Sequence, residues 1–588
     1  MSVGGQGHAI EYVSDSTVRT GVTVKPKEHY NAIKSTIVPA NQVTAYINPG
    51  KCINCGTCRE ACPAGAIESQ QRLICRTCPL CTDRPGMSPQ QIDELTVTTA
   101  CTTACPLGIS PQGYIGLTKA GKYEEAWKLI WVKNPLLSVC SEVCHHPCEN
   151  SCKRGICVDS PINIRRIKKF LTETVNVPIP KYPRIYEDEI AIIGAGPAGL
   201  TAGHYLAMQG YGVTIYESSN EAGGMLMKGI PEFRLSREVV SRDIERLKEA
   251  GLNIQLNQRI TPRMIDDLRD NYDAIIIAAG TPVSRELQIK NYRLAGVMGA
   301  MTFMRQINHS MNPEHHLGQI FTFDGGEAVV IGGGSVAMDV ARTAVRAGAS
   351  KVTCVCLESG DQIPAHPWEL EEAKEEGIEL IEGYSPVEYT TDMFPHLTGV
   401  KFAKVLSMGR NEQGQFEVVR DEDDTFTLKA DWVIEAIGQK ADLDWKSLEG
   451  PDVFFAGDLA SSKCSVVDAM ASGRDAAIAV DAALRGRAVK NPMDTNILHT
   501  GDIEEKIFPY NRRKNIRPAA PMLDPKVRVR SYENVEGTYT ESEALQEAKA
   551  CLACGYQKVD PEKCLACGVC QTLCPKGDVI TLVAKEGQ

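Results

Sequence analysis

Cysteine is the residue type that offers the most chemistry in this sequence, with 23 cysteines among 588 residues. Two runs share the spacing C-x2-C-x2-C-x3-C-P, in which thiolates close on a cubane 4Fe-4S cluster. A disulfide framework suits small secreted chains better than a chain of this length. Zinc also accepts four cysteines, but two such runs in a chain with glycine-rich nucleotide motifs favour iron–sulfur. The first run contains Cys52, Cys55, Cys58 and Cys62, and the second contains Cys564, Cys567, Cys570 and Cys574.

Two incomplete runs accompany the complete ones. Cys75, Cys78 and Cys81 keep the spacing, but proline stands at position 85. In the tail, Cys551 and Cys554 begin a run that has no later cysteines of its own. The fourth cysteine of one run serves the other cluster in two-cluster ferredoxins, so the pairing of ligands with clusters stays open at this point.

A third group of cysteines precedes the glycine-rich part of the chain. It comprises Cys101, Cys105, Cys140, Cys144, Cys148 and Cys152. The last four are spaced by four residues, which would place them on one face of a helix. Pro147 interrupts such a helix, so the sequence predicts a looped cradle for a cluster. Fourteen cysteines lie between positions 52 and 157, and we expect three clusters in this head and one in the tail.

The middle of the chain contains a strand, a glycine turn, a helix and a second strand in EIAIIGAGPAGLTAGHYLAMQGYGVTIYE. Gly194 permits the tight turn, Gly196 lets a pyrophosphate approach the backbone, and Gly199 lets helix and strand pack closely. The N-terminus of the helix offers N–H groups and a partial positive charge to phosphates. Glu217 ends the second strand, where a carboxylate accepts ribose hydroxyls. This pattern predicts a dinucleotide site.

A second copy of the pattern follows in EAVVIGGGSVAMDVARTAVRAGASKVTCVCLE. Gly332, Gly334 and Ala337 form G-x-G-x-x-A between an apolar strand and an amphipathic helix. Two dinucleotide sites indicate two nucleotides, one a bound flavin and the other a diffusible nicotinamide.

The elements around these motifs are those of a large α/β protein. The chain is 43% apolar and 23% charged, which excludes wholesale disorder. Its formal charge of −11 argues against nucleic acid as the main partner. We find no apolar run long enough for a transmembrane helix and no secretory h-region, so we expect a cytoplasmic protein. The proline-containing stretch VNVPIPKYPRIYEDE predicts a linker after the cysteine-rich head, and SEALQEAKA predicts a short helix.

Several further segments resemble one known family. GGMLMKGIPEFRLSREVV, AIIIAAGT, WVIEAIGQ and VFFAGDLASSKCSVVDAMASGRDAA together resemble the small subunit of bacterial glutamate synthase. Its family of FAD- and NAD(P)H-dependent iron–sulfur oxidoreductases includes the large subunit of NADH-dependent reduced ferredoxin:NADP oxidoreductase and the N-terminal half of dihydropyrimidine dehydrogenase. The resemblance runs from about Cys101 to Arg487. The ferredoxin-like modules at both ends are additions to it.

The resemblance implies an α/β core of two Rossmann-type domains, with the nicotinamide domain inserted in the FAD domain. A helical iron–sulfur domain precedes this core, and small ferredoxin-like modules stand at both ends. The expected divisions are an N-terminal arm (1–45), a ferredoxin-like module (46–85), the helical domain (86–187), the FAD domain (188–283 and 450–487), the nicotinamide domain (284–449), an irregular linker (488–540) and a C-terminal module (541–588).

The family's cofactor contacts carry over to positions in the quoted motifs. The resemblance places Asp458 near the flavin ribityl and phosphate, and it points the helix from Val466 toward the flavin. Cofactor-binding residues are expected at Gly194, Gly196, Pro197, Ala198, Gly199, Glu217, Gly224, Met225, Arg234, Gly280, Gly332, Gly334, Ser335, Ala337, Glu358, Gly438, Gly457, Asp458 and Val466.

The family's cluster ligands match Cys101, Cys105, Cys144, Cys148 and Cys152, with an upstream pair supplied by Cys75/Cys78 or Cys78/Cys81. One cluster of the family takes a non-cysteine ligand, and that position corresponds here to Lys168, a poor ligand while protonated. Cys140 or Cys157 is the alternative.

The remaining residues of interest have plainer interpretations. Cys354 and Cys356 alternate on an apolar strand, which is typical of core thiols. His145 and His146 are expected in a loop beside the ligands, and His366 and Trp368 on the surface of the nicotinamide domain. We find no nucleophilic or acid–base constellation, so the hydride chemistry belongs to the flavin and the nicotinamide.

These features predict an electron-transfer flavoenzyme that binds FAD, NADH or NADPH and about four 4Fe-4S clusters. Hydride is exchanged between NAD(P)H and FAD, and single electrons pass through the clusters to or from a partner subunit or ferredoxin. We expect a subunit of a hetero-oligomeric, electron-bifurcating complex of an anaerobe. The alternatives are the electron-input subunit of a glutamate synthase and a non-catalytic relay.

The choice between NADH and NADPH depends on the end of the second strand in the nicotinamide domain. A carboxylate there accepts the free 2′-hydroxyl of NAD, whereas arginine meets the 2′-phosphate of NADP. Glu358 stands at this point, where NADPH-using members of the family carry a tyrosine-arginine-arginine run. The local residues favour NADH. The alternative is that Arg342, Arg346 or Lys351 binds a phosphate.

Overall fold

A computed structural model gives the fold of this chain. It describes residues 21–24, 36–39, 43–47, 58, 62–64, 66–70, 99–157, 159–310, 321–411, 416–445, 447–448, 450–461, 465–486, 516–552, 556–559, 562–567, 569–574 and 580–584. Among the described helices, none combines the length and apolar character that crossing a membrane requires.

The secondary structure alternates strands and helices through the middle of the chain. The strands are β1 (Gly21–Val24), β2 (Thr36–Pro39), β3 (Val43–Ile47), β4 (Ile67–Gln70), β5 (Glu189–Ile193), β6 (Gly212–Tyr216), β7 (Asn253–Gln255), β8 (Ala274–Ile277), β9 (Val283–Ser284), β10 (Val297–Gly299), β11 (Glu327–Ile331), β12 (Lys351–Cys356), β13 (Glu379–Glu382), β14 (Tyr384–Thr390), β15 (Gly399–Arg410), β16 (Phe416–Lys429), β17 (Trp432–Glu435), β18 (Gln439–Lys440), β19 (Val453–Phe455), β20 (Tyr556–Val559) and β21 (Ile580–Ala584). The α-helices are α1 (Ala100–Ala104), α2 (Pro111–Lys119), α3 (Tyr123–Trp131), α4 (Leu137–Val143), α5 (Pro147–Asn150), α6 (Lys153–Cys157), α7 (Ile164–Thr174), α8 (Pro197–Gln209), α9 (Met225–Lys228), α10 (Arg237–Glu249), α11 (Ile265–Arg269), α12 (Ala300–Ser310), α13 (Ser335–Arg346), α14 (Pro367–Glu375), α15 (Val466–Arg485), α16 (Pro525–Arg528), α17 (Glu541–Lys549) and α18 (Val569–Thr572).

The first parallel sheet follows the first glycine motif. Its strand order is β19-β8-β5-β6-β7, and β5 lies at the centre as a continuous apolar run. Helices α8 and α15 pack closely together against this sheet. Strand β19 enters the sheet only after the chain has built a second sheet. The second sheet is therefore an insertion within the first.

The inserted sheet is also parallel, in the order β10-β17-β11-β12-β13. An antiparallel sheet of β14, β15 and β16 packs beside it through a shared apolar core. The chain passes between the two parallel sheets twice, and the two crossings pair as the short antiparallel strands β9 and β18. The predicted division at residues 284 and 449 stays a prediction.

Helices α1 to α7 form the helical domain and share one hydrophobic core with the first sheet. A buried carboxylate joins the two at a helix end. Asp243 on α10 accepts hydrogen bonds from the backbone N–H groups of Ser138 (2.8 Å) and Val139 (3.0 Å), at the start of α4. Arg246 pairs with the same carboxylate at 3.2 Å. The acid therefore fixes α4, which leads to Cys144, on the flavin domain.

The two ends of the chain differ from the expectation of separate modules. Strand β3 pairs antiparallel with β21, and β4 pairs antiparallel with β20. Side chains from both ends fill one small core. The two cysteine runs therefore belong to one folded unit, which local sequence patterns do not reveal.

The segment 516–540 was expected to be an irregular linker, and α16 is its one α-helix. Its side chains are nonetheless firmly placed. Glu536 pairs with Arg165 at 2.7 Å and with Arg166 at 3.0 Å on α7. Arg528 pairs with Glu375 at 2.7 Å and with Glu376 at 2.9 Å beside α14. The segment holds the helical domain and the nicotinamide domain together.

We predict that Asp243→Ala destabilises the protein by about 3 kcal/mol, because it leaves two buried N–H groups and Arg246 without their acceptor. This corresponds to a fall of several degrees in apparent Tm, measured by release of flavin fluorescence on heating. Glu245→Ala is the matched control, since Glu245 is exposed on the same helix. Equal shifts for the two variants would show that the helix end does not depend on Asp243.

Candidate functional site

The first glycine turn has the close contacts that a dinucleotide turn requires. Gly194 has φ +109°, and a Cβ there would lie 2.5 Å from the carbonyl oxygen of Ala278. A Cβ on Gly199 would lie 1.9 Å from the carbonyl oxygen of Gly194. At Gly196 a Cβ would meet no described atom within 4 Å. The first and third glycines thus serve the fold, while the second faces open space at the start of α8, beside Pro197 and Ala198.

Glu217 lies at this turn, at the end of β6. Its Oε2 accepts a hydrogen bond from the N–H of Ala195 at 3.0 Å, and its Oε1 accepts one from the N–H of Ser219 at 2.9 Å. The carboxylate is 95% buried, with an exposed fraction of 5%. It is therefore held at the position where we proposed a contact with ribose.

The other predicted flavin contacts surround the same turn. A Cβ on Gly224, which precedes Met225 of α9, would lie 3.1 Å from the Cα of Gly196. A Cβ on Gly457 would lie 3.0 Å from the Cβ of Ala198. Asp458 follows in a short 3-10 helix, and burial raises the pKa of its carboxyl. Val466 begins α15, whose first turn is capped by Ser465.

Gly473 on α15 belongs to this site although no sequence motif indicated it. A Cβ at this position would lie 2.1 Å from the carbonyl oxygen of Ala198, so only glycine lets α15 approach α8 at backbone contact. A small-residue stripe in DAMASGRDAA is the signal that could have indicated it. Gly280 and Gly438 lie on the two crossings between the sheets, both with positive φ.

The second glycine turn repeats the geometry of the first. Gly332 has φ +139°, and a Cβ there would lie 2.4 Å from the carbonyl oxygen of Ala436. A Cβ on Gly334 would meet no described atom within 4 Å, and Ala337 is buried in α13. Ser335 donates a hydrogen bond from Oγ to Glu369 at 2.6 Å.

The carboxylate of Glu358 lies over this second turn. Its Oε2 would be 3.0 Å from a Cβ built on Gly333. The three basic residues considered for a 2′-phosphate are engaged elsewhere. Arg342 and Arg346 are buried and pair with Glu376 at 2.7 and 2.6 Å, and the exposed Lys351 pairs with Glu379 at 2.9 Å. The acid is thus the charged group of this set that faces the turn.

The predicted break in the cysteine-rich helix is present. Helix α4 ends at Val143, His146 takes a left-handed conformation with φ 43°, and α5 starts at Pro147. Cys144 lies in the break and Cys152 follows α5. The result is a looped cradle rather than one helix face.

The thiols of the cradle are buried and lie near one another. Burial raises the pKa of the Cys148 thiol well above its usual value, and charges on Cys144, Glu149 and Cys105 add to the rise. Burial raises the pKa of Cys101 to about 11. A hydrogen bond with Thr99 lowers this pKa, and a charge on Cys152 raises it. Tyr114 lies near Cys101, Cys105 and Cys148 alike, so these thiols are neighbours in one buried cradle.

Cys140 and Lys168 both lie near Cys105 and Cys144. Burial raises the pKa of Cys140 to about 12, Lys168 opposes that rise, and charges on Cys144 and Cys105 add to it. The Cys140 thiol also donates to Met470 Sδ at 3.5 Å. Cys140 and Lys168 are therefore both close to these thiols, and the choice among Lys168, Cys140 and Cys157 stays a prediction.

The other predicted ligands are distributed between the chain ends and the undescribed residues. Cys58, Cys62, Cys564, Cys570 and Cys574 share the small core of the end unit, and Cys567 is exposed. Cys551 packs against the core of the helical domain instead. Cys52, Cys55, Cys75, Cys78, Cys81, Cys464 and Cys554 lie outside the described residues. Cys354 and Cys356 are buried in β12, as the core interpretation predicts.

A cleft brings the three predicted sites together. Cys144 and His145 line it from the helical domain, Ser335 and Val336 from the start of α13, and Ser465 and Val466 from the start of α15. Arg234 also lines it and pairs with Asp339 at 2.7 Å and Glu369 at 3.0 Å. The starts of α13 and α15 and Cys144, a predicted cluster ligand, therefore line one common cleft.

Aromatic rings close one side of this cleft. His145 stacks on His366 with ring centroids 5.5 Å apart, and His366 stacks on Trp368 at 4.4 Å. His146 contacts Trp368 at 4.4 Å. His366 and Trp368 were expected on the surface of the nicotinamide domain, and the part of that surface they form contacts His145 and His146.

The residues present fit the cofactors that the motifs imply. Both glycine turns leave open space at their second glycine, as a pyrophosphate requires. Among the described residues, no three His, Cys, Asp or Glu side chains are placed to hold one metal ion. The described cysteines of the end unit share one small core, and thiolates are the ligands that a cubane cluster takes.

Comparison with known protein families follows the same division. Residues 188–450 match the pyridine nucleotide-disulphide oxidoreductase family. Residues 96–177 match dihydropyrimidine dehydrogenase domain II, 4Fe-4S cluster, and residues 45–68 match the 4Fe-4S binding domain.

Three curated relatives match this chain over most of their own lengths. The beta subunit of NADP(+)-dependent formate dehydrogenase from Moorella thermoacetica is 31% identical over 78% of this chain and 71% of that protein. The PreT subunit of NAD-dependent dihydropyrimidine dehydrogenase from Escherichia coli K12 is 32% identical over 66% and 91%. The small chain of NADPH glutamate synthase from Azospirillum brasilense is 28% identical over 66% and 87%. The two glycine turns, the cysteine cradle and these relatives agree: the chain belongs to the family of FAD- and NAD(P)H-dependent iron–sulfur oxidoreductases that includes the glutamate synthase small chain.

Proposed function

We propose that this oxidoreductase is the NADH- and FAD-binding subunit of a hetero-oligomeric redox complex and that it exchanges electrons with a partner subunit or ferredoxin through four 4Fe-4S clusters. The observation that carries the proposal is the cleft in which Cys144, the start of α13 and the start of α15 meet. Bound there, FAD would supply the exchange of a hydride with the nicotinamide and of single electrons with the clusters.

The protein's own part in this chemistry is to bind and to orient. The first turns of α8 and α15 offer helix N-termini to the flavin from two sides. Glu217 is held by two N–H groups and presents its carboxylate at the first turn. The ring stack of His145, His366 and Trp368 borders the space between the cradle and the nicotinamide domain and limits the access of water.

The position of Glu358 supports NADH as the nicotinamide. A 2′-phosphate at the second turn would face this carboxylate, whereas a 2′-hydroxyl would donate a hydrogen bond to it. Relatives differ in this respect by name, since the formate dehydrogenase subunit is called NADP(+)-dependent and the dihydropyrimidine dehydrogenase subunit NAD-dependent. The local geometry therefore carries this part of the proposal.

The electron-input subunit of a glutamate synthase is the second candidate, favoured by the Azospirillum relative. The paired chain ends favour the first candidate. They form an additional unit with two cysteine runs. A subunit that delivers electrons only through the clusters of the cradle does not require such a unit.

The proposal predicts the cofactor content of the protein purified without oxygen. We expect one FAD and about sixteen iron atoms per chain, four for each cubane cluster. Iron and flavin are measured on the same sample by metal analysis and absorbance. Iron near zero, or zinc in stoichiometric amount, would exclude the clusters.

NADH is expected to give the higher kcat/KM in steady-state dye reduction. Glu358→Arg should move the ratio of NADH to NADPH toward NADPH by about tenfold or more, because it replaces repulsion of the 2′-phosphate by attraction. Glu379→Arg is the control, since Glu379 lies in the same domain and its carboxylate pairs with Lys351 on the surface. A higher kcat/KM for NADPH, with a ratio unmoved by Glu358→Arg, would show that this acid does not select the nucleotide.

The tail cysteines are predicted to serve as an exit for electrons rather than as part of the nucleotide sites. Cys567→Ala should abolish reduction of added ferredoxin, while anaerobic reduction of FAD by NADH keeps its rate within about twofold. Leu573→Ala, an exposed neighbour, should affect neither. Equal loss of both reactions in Cys567→Ala would assign the tail a structural role.

A further inference from the structure

One segment of the flavin domain extends to the nicotinamide domain. It comprises residues 224–235, which lead into α10, and we call it the arm. Its start lies at the flavin turn, since a Cβ on Gly224 would be 3.1 Å from the Cα of Gly196. Near its end, Arg234 lines the cleft together with Ser335, the first residue of α13. The arm therefore runs from one predicted nucleotide site to the other.

The nicotinamide domain contacts the arm first at the end of α9. Asn308 on α12 donates from Nδ2 to the carbonyl oxygen of Lys228 at 3.1 Å and to that of Ile230 at 3.2 Å. Carbonyl groups at the end of a helix lack donors within the helix, so the amide supplies what water would otherwise supply. Asn308 is buried, and its two hydrogen bonds are therefore shielded from solvent. This contact fixes the middle of the arm on α12.

Phe233 makes the second contact, and its side chain is fully buried. The centroid of its ring lies 3.8 Å from the guanidinium carbon of Arg346 and 5.0 Å from that of Arg342, both on α13. A cation over the face of a ring is attracted by the ring quadrupole, more strongly where water is excluded. Glu376 pairs with the same two arginines, at 2.6 and 2.7 Å, and keeps the guanidinium groups in place. The ring therefore anchors the arm in a pocket with fixed walls on α13.

Arg234 makes the third contact. It pairs with Asp339 on α13 at 2.7 Å and with Glu369 on α14 at 3.0 Å. Glu369 in turn accepts the hydrogen bond from Ser335 Oγ at 2.6 Å. Two acids of the nicotinamide domain therefore compensate a charge of the flavin domain. Through them the arm is linked to the start of α13, where the second glycine turn lies.

We propose that the arm positions the two nucleotides for hydride transfer, with Phe233 and Asn308 as the positioning residues that keep α13 at a set distance from the flavin turn. The inference deepens the proposed function and rests on it, because it takes both nucleotides to be bound at their glycine turns. Domains joined only by crossings of the chain move relative to one another. A misplacement of the reacting groups by about 1 Å costs on the order of 100-fold in rate. A fixed arm therefore acts on the rate of the reaction rather than on the affinity for the nucleotide.

The test is rapid anaerobic reduction of the FAD-loaded, full-length protein by NADH, or by NADPH where that is the better donor. Phe233→Leu and Asn308→Ala should each lower the limiting rate of flavin reduction about tenfold, because each releases the arm at one point. The Kd for the nucleotide, taken from the concentration dependence of the rate, should change by less than about threefold. The long-wavelength absorbance band that arises when nicotinamide and flavin rings stack should weaken in the same variants.

Two control variants separate positioning from stability. Phe303 is a fully buried ring in the core of the nicotinamide domain, packed on Phe321 and Phe323 away from the arm. Phe303→Leu should lower the Tm as Phe233→Leu does, because both remove buried apolar volume, but keep the limiting rate within about twofold. Thr302 is exposed on the same helix as Asn308, and Thr302→Ala should change neither the rate nor the absorbance band.

Wild-type rate and absorbance band in both arm variants would overturn the proposal. So would an effect confined to Kd, which would make the arm a binding element, or equal slowing by Phe303→Leu, which would make the rate a measure of domain stability. Asn308→Ala decides by itself if Phe233→Leu does not fold. A wild-type protein whose flavin neither nucleotide reduces would instead overturn the proposed function, so the two failures are distinct.

Discussion

The placement of α4 on the flavin domain is the constraint on which the rest of the site depends. Cys144 directly follows α4. Its position in the cleft therefore depends on where the start of α4 is attached to α10. Asp243 sets that point through two N–H groups, and the pair is buried, so each bond is strong and its loss costly. Arg474 on α15 adds a second buried contact, donating to the carbonyl oxygen of Pro106 at 2.8 Å, directly after Cys105. The cradle is therefore attached by buried contacts to both α10 and α15.

The nicotinamide domain is attached by other means. Its sheet joins the flavin sheet through two crossings, so it needs further contacts to keep the second glycine turn at the cleft. The segment 516–540 supplies these contacts. Glu536 pairs with Arg165 on α7 of the helical domain, and Arg528 pairs with Glu375 on α14 of the nicotinamide domain. Burial opposes ionisation of Glu536, yet Arg165 and Arg166 outweigh it and lower its pKa to about 2. The ion pairs therefore persist across the physiological range of pH, and a segment with little regular structure can act as a fixed brace.

What could be predicted from the sequence is what contiguous residues encode. The two glycine turns, the helix break at Pro147 and the helix at Glu541–Lys549 follow from local steric rules, and all are present. The contacts that were missed join distant residues. Asp243 stands in an amphipathic helix with other acids, and nothing local distinguishes it from the exposed Glu245. Strands β3 and β21 are short, and each finds its partner at the other end of the chain, which no periodicity shows.

The pairing of the chain ends costs little conformational entropy, although the ends are far apart in the sequence. The entropy of closing a loop depends on the flexible length that separates its ends, and here the intervening chain is folded. Helix α17 packs against α2 and α7, and Arg154 donates to the carbonyl oxygen of Ala550 at 2.7 Å. Residue 552 therefore leaves from the same helical domain into which the head enters at residue 99. Cys551 also packs against the core that Cys101 and Cys152 border. The tail thus passes from the helical domain to β20 over a short stretch of chain, which limits how far the end unit can lie from that domain.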